Sequence, residues 1–264
     1  MNIYTDLTRR FNHGRLRAVL SSGQAVVLHR VAIMSKDGDW IIREDNEATG
    51  HVLAVLGAYG ARYRFSAPLD PRWLAGGWSA HCQFHYGELR VRTDFVSRPP
   101  RLSDQELADL WAEQEGREVP FVGAKHLVAL KQTNREKDYA VIGELARLLT
   151  DPRDQLLCSR SVRDIIALAE QHPGLVPELV PARPLLERVG EGPDRLAVAL
   201  DAERRAMIRA NEDRLRRYAL AASDWATEWP DVERETAGLS LLDAHDVIRG
   251  RAEGVLPFTP GGDR

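Results

Sequence analysis

The sequence predicts an α+β protein, with strands and helices mixed through residues 1–150 and helices alone through residues 151–264. Two patterns lead to that reading. Short apolar stretches with strand-like alternation recur between amphipathic segments as far as Val96, and from about Asp151 such alternation stops. A third observation sets the scale: 264 residues with 44% hydrophobic content suffice for one large or two modest domains with a real core.

Taken in order, Thr5-Asp6 caps a short amphipathic helix through Leu7 and Phe11, closed by His13-Gly14. Arg15 to Leu20 reads as a strand running into Ser21-Ser22-Gly23, and Gln24 to His29 reads as a short helix. A second strand follows Asp37-Gly38-Asp39, and a helix carrying Val52, Leu53, Val55 and Leu56 opens on Glu44-Asp45-Asn46-Glu47, acids that suit its dipole. Arg62 to Phe65 is a strand. Trp78–Phe84 and Leu89–Val96 form a hairpin around His85-Tyr86-Gly87-Glu88. Ser103 caps a helix over Asp104 to Glu115, Glu118 to Val122 is extended, and helices follow at Ala124 to Lys131 and Tyr139 to Leu149. Beyond these, a helix over Ser161 to Gln171 precedes a proline-broken stretch at Pro173, Pro177, Pro181 and Pro184. One long helix is predicted over Pro193 to Trp229, with Leu196, Leu200, Met207, Leu215 and Leu220 apolar and Trp225 and Trp229 in the core. A last helix spans Leu241 to Arg251, and Pro257 to Arg264 reads as a loose tail.

Composition excludes several classes. A net charge of −3 argues against wholesale coating of nucleic acid, although basic patches remain open. The two cysteines, Cys82 and Cys158, stand far apart without paired metal-ligand spacing, which fits a reducing, cytoplasmic setting. No stretch approaches the ~18–20 apolar residues that span a bilayer, and the N-terminus lacks a signal-peptide core.

The candidate chemistry centres on Asp37 and Asp39, which at i and i+2 of a strand would share one face. Magnesium takes one or two such carboxylates and completes its shell with waters and substrate phosphates. Asp-Gly between apolar runs is equally a hairpin turn signal. Asp94 lies inside a strand pattern, where a carboxylate needs exposure, a partner or a cation. Arg90 and Arg92 could pair with it along the face; alternatively, Asp94 joins Asp39 from a neighbouring strand and completes a three-carboxylate site. Strand, Ser22-Gly23 turn and helix start make a place where backbone N–H groups can meet an anion. Lys131 ends an apolar helix and reads locally as a snorkelling lysine. His81 and His85 share a strand face without further zinc ligands, and His29 reads as a satisfied histidine.

This order of parts resembles the nucleotidyltransferase superfamily: a small-residue turn at Ser22-Gly23, then Asp37-x-Asp39, then Asp94 on a later strand. The segment His126 to Lys131 followed by Arg135-Glu136-Lys137-Asp138 is similar to the abortive-infection type nucleotidyltransferase-like toxins, in which a helix ending in lysine precedes an Arg-x-Lys-Asp turn. The match covers about residues 15–149. It implies a mixed sheet flanked by helices and a magnesium- and nucleoside-triphosphate-dependent transfer to an acceptor hydroxyl, with RNA as a candidate acceptor. Asp37, Asp39 and Asp94 would hold metal, Ser22, Gly23, Lys131 and Arg135 would hold the triphosphate, and Asp37, Asp39, Asp94 and Lys131 would together carry the catalysis. The other reading is a module of the same fold that binds without catalysis, an antitoxin-like part. Two positions depart from the family pattern: Ser22-Gly23 replaces Gly-Gly or Gly-Ser, and Trp40 replaces an aliphatic residue after Asp39.

Overall fold

The computed structural model describes residues 2–261. Five strands form one mixed sheet in the order β1-β2-β5-β4-β3: β1 (Ala18–Ser21), β2 (Gly38–Ile42), β3 (Arg62–Tyr63), β4 (Ala80–Tyr86) and β5 (Leu89–Val96). The β2–β5 pairing is parallel, and the other three are antiparallel. Around the sheet lie α1 (Ile3–Phe11), α2 (Ser22–Leu28), α3 (Asn46–Gly57), α4 (Pro71–Ala75), α5 (Asp104–Gln114), α6 (Ala124–Leu130) and α7 (Glu136–Ala146). The helical remainder comprises α8 (Pro152–Cys158), α9 (Val162–Gln171), α10 (Leu175–Leu179), a 3₁₀ segment Pro184–Glu191, α11 (Pro193–Ala221), α12 (Ser223–Glu235) and α13 (Leu241–Val255). No helix among the described residues is long and apolar enough to cross a membrane.

Strand periodicity sorts the sheet into two faces. On one face Leu20, Trp40, Ile42, Phe95, Cys82 and Phe84 pack with residues of α1, α3, α12 and α13. Trp40 is fully buried there, stacked on Phe95 at 5.5 Å, and its indole N–H donates to Thr8 Oγ1. The bulky residue after Asp39 is thus a core residue facing away from the carboxylates. On the other face Val19 and Ile41 pack with α2, α5, α6 and α7, and with Met207 and Ile208 of α11. A third cluster, Leu156, Ile165, Leu186, Leu196 and Leu200, belongs to residues 152–200 alone. The boundary drawn near residue 150 therefore precedes a segment with its own core, whereas Trp225, Trp229 and Ile248 return to the sheet.

Several local expectations are adjusted. The first helix starts earlier because the Asn2 side chain, rather than Thr5-Asp6, accepts from the Tyr4 N–H. Arg135-Glu136-Lys137-Asp138 is the cap and first turn of α7, which begins three residues before Tyr139, with Glu136 and Asp138 suited to the helix N-terminus. The long helix is two, α11 and α12, meeting at Ala222. Leu215 and Leu220 are exposed. The tail is docked as far as Phe258, since Trp73 and Trp78 donate to the Leu256 and Pro257 carbonyls and Trp73 packs on Phe258. Of the predicted loose tail, 262–264 lie outside the described residues.

Candidate functional site

Sheet register builds the site. Ser21 pairs with Asp39, Asp39 with Asp94, and Asp94 with His81, so four strands contribute one row of side chains across the face opposite Trp40. One step toward the start of β2, Gly38 pairs with Thr93, which sets Asp37 beside Arg92; the Asp37 Oδ1 to Arg92 Nη1 distance is 3.8 Å. Asp37 itself stands one residue before the strand.

Each carboxylate has a different environment. The Asp94 Oδ1 accepts from His81 Nδ1 at 2.6 Å and lies 3.4 Å from Arg64 Nη1. His81 is held in turn at Nε2 by the Ser79 hydroxyl, 2.9 Å away. Asp94 thus takes its partners from β4 and the segment after β3, while Arg92, expected beside it, serves Asp37. The Asp39 carboxyl is pushed up to about 6, first by burial and then by the charge of Asp94; Lys131 opposes the shift, Asp37 adds to it, and the Ser22 hydroxyl lowers it.

Above Asp39 the chain supplies a cation. Lys131 follows the last residue of α6 and is 5% exposed, so it does not snorkel to solvent. Its Nζ lies 3.4 Å from Ser22 Oγ and 3.7 Å from Asp138 Oδ1. Burial pulls the Lys131 ammonium below its ordinary range, with Asp138 opposing. Asp138 is buried and also accepts from Thr133 and from Arg135 Nε at 2.8 Å, so Arg135 reaches the site through Asp138.

The predicted Ser22-Gly23 turn is a direct passage from β1 into α2. Ser22 takes a left-handed backbone, φ 48°, which turns its hydroxyl between Asp39 and Lys131. Gly23 is required by close approach: a Cβ there would sit 2.2 Å from Ser35 Oγ. His29 is satisfied, its Nε2 lying 2.9 Å from the Val122 carbonyl.

Asp37, Asp39 and Asp94 are therefore neighbours, but each is turned to different partners. Among the described residues no group of three or more His, Cys, Asp or Glu is arranged to hold a metal ion. The sequence reading missed His81 and Arg64 as partners of Asp94. The hairpin held the signal for His81, because counting back from Tyr86 opposite Leu89 pairs His81 with Asp94. Comparison with family models, curated proteins and solved structures finds no match to this chain.

Proposed function

We propose that the chain is a nucleotidyltransferase-like enzyme of the toxin type, which moves a nucleotide from a nucleoside triphosphate to an acceptor hydroxyl, with RNA as the acceptor class. The observation that supports it is the row in which Asp39 and Asp94 stand side by side on parallel strands with the buried Lys131 over Asp39. A perturbed carboxylate beside a second carboxylate and a lysine is the arrangement that phosphoryl chemistry uses. The donor set fits magnesium, a hard cation that needs only one or two carboxylates when phosphates and water complete its shell. Asp39 and Asp94 would hold it, and when bound it would neutralise phosphate charge.

The chain's own residues supply the remaining roles. His81 and Arg64 hold the Asp94 carboxylate through Oδ1, and Asp94 would take the acceptor proton. The acceptor oxygen bonds to the α-phosphorus as the α–β bridge breaks, and pyrophosphate leaves. Lys131 would neutralise charge as it builds on that leaving group. Ser22 orients Asp39 and Lys131 above the Gly23 passage.

The test is a melting curve with magnesium and each nucleoside triphosphate, followed by label transfer to total RNA. A thermal rise, with transfer that Asp94→Asn loses, is expected. The absence of any rise at millimolar nucleotide would end the reading. A second reading, a binding module without turnover, draws on the engagement of Asp94 by His81 and Arg64 and of Asp37 by Arg92. A thermal rise without transfer to RNA, protein or small acceptors would favour it.

A further inference from the structure

Beside the carboxylate row lies a cavity of about 340 Å³ between the sheet and α11, and His81 belongs to both: its Nδ1 meets Asp94, and the same residue lines the cavity. The segment after β3 joins them a second time. Arg64 reaches Asp94, the next two residues, Phe65 and Ser66, line the cavity, and Ser66 Oγ accepts from the His81 N–H. α11 supplies the opposite wall with Arg214 and Tyr218, four residues apart and so on one helix face, and the exposed Leu215 is part of that wall.

The walls are aromatic and their polar atoms are already spent. The Trp78 indole donates to the Pro257 carbonyl at 2.9 Å, the Trp225 indole to the Ser66 carbonyl at 2.8 Å, and the Tyr218 hydroxyl to the Gly76 carbonyl at 2.9 Å. Backbone is shaped to this last ring: Gly77, at φ 82°, has no room for a Cβ, which would lie 2.3 Å from Tyr218 Oη. Phe65 is the accessible ring of the four, 45% exposed. Rings held in this way offer faces rather than hydrogen bonds, which suits a flat aromatic ligand.

One cation stands at the cavity without an acid. Arg214 lies over the Tyr218 ring, 5.4 Å from its centroid, and its Nε is buried without a hydrogen-bond partner. Among the described residues it forms no ion pair, and Asp213 beside it pairs with Arg216. Aromatic faces next to an unpaired guanidinium match the base and the phosphate of a nucleotide. Size limits the occupant to a single unit, because about 340 Å³ is near the lower end of the roughly 300–1,000 Å³ that ligand pockets span.

We propose that this cavity takes one nucleotide of a single-stranded RNA acceptor, with its base on the aromatic walls and its phosphate on Arg214. The acceptor role rests on the proposed transfer, in which Asp94 takes the acceptor proton; the binding of a nucleotide does not.

The experiment titrates the full chain in EDTA, so that no metal contributes, by calorimetry with adenosine, adenosine 5′-monophosphate, inosine 5′-monophosphate and a short oligoadenylate. The oligoadenylate should bind more tightly than the monophosphates, and Phe65→Ala should weaken all four ligands by about fivefold or more. Arg214→Gln should weaken the phosphate-bearing ligands and leave adenosine unchanged. The two monophosphates should bind within about fivefold of each other, because stacking reads a face and not a hydrogen-bonding edge. Phe65 and Arg214 are both partly exposed, so the variants keep the core. In the transfer assay Phe65→Ala should raise KM for RNA. The proposal is overturned if the parent binds no nucleotide at millimolar concentration, if both variants bind as the parent does, if a monophosphate binds as tightly as the oligoadenylate, if the two monophosphates differ by more than that factor, or if Phe65→Ala leaves KM for RNA unchanged. Absence of a melting rise with magnesium and triphosphate would instead remove the transfer and the acceptor role with it, and calorimetry in EDTA would still decide the nucleotide cavity.

Discussion

Asp39→Asn provides the sharpest measure of the electrostatics of the carboxylate row. The substitution keeps shape and an oxygen that can accept from Ser22, and it removes a charge whose carboxyl is displaced from 3.8 to about 6. That displacement corresponds to at most about 3 kcal/mol, and partial contact with solvent reduces the expected gain to about 1–2 kcal/mol. The sign follows from linkage. A folded-state value above the unfolded one means that the penalty is full above pH ~6 and disappears as pH falls toward 3.8, because the folded chain takes the proton first. In metal-free buffer at about pH 7.5 the variant should therefore melt ~2–8 °C higher than the parent, taking about 2–4 °C per kcal/mol for a chain of this size. The gain should shrink steadily between about pH 6 and pH 4. Chemical denaturation followed by tryptophan fluorescence at each pH checks both statements. A variant no more stable at neutral pH, or a gain that persists undiminished at the acidic end, would refute the placement of Asp39 in a desolvated site beside Asp94.

Two further outcomes test the surroundings of the row. Gly23→Ala should cost about 1–3 kcal/mol in the same denaturation assay, because its Cβ would meet Ser35 Oγ at 2.2 Å and Ser35 Cβ at 2.9 Å; adding Ser35→Gly should recover most of the loss. Lys131→Met should cost less than about 2 kcal/mol, since Asp138 keeps Arg135 and Thr133 as partners, and should weaken nucleoside-triphosphate binding in calorimetry; equal affinity would remove Lys131 from the site.

Local chemistry was legible wherever a cap or a turn announced itself. Ser103 caps its helix as expected and Glu106 completes a capping box, Asp45 accepts from the Ala48 N–H, and the hairpin turns at Gly87 with φ 58°. Two short helices had no reading in the sequence, although Asp70-Pro71 and Asp151-Pro152 announce them, each with aspartate as cap and proline in the first turn. The candidate site was harder to read, because its geometry depends on β2 lying beside β5, and no local pattern specifies which distant strand becomes a neighbour. Once that pairing exists, Asp39 must face Asp94, whereas the burial of Lys131 depends on how α6 crosses the second face.

The parallel pairing of β2 with β5 also has a temporal meaning during synthesis. Because the two carboxylates arrive on strands separated by two helices, a short strand and the first strand of a hairpin, no fragment ending before β5 can bring them together. The last strand to be made is inserted between β2 and β4 in the interior of the sheet. A polypeptide that ends before β5 therefore leaves that edge of β2 unpaired.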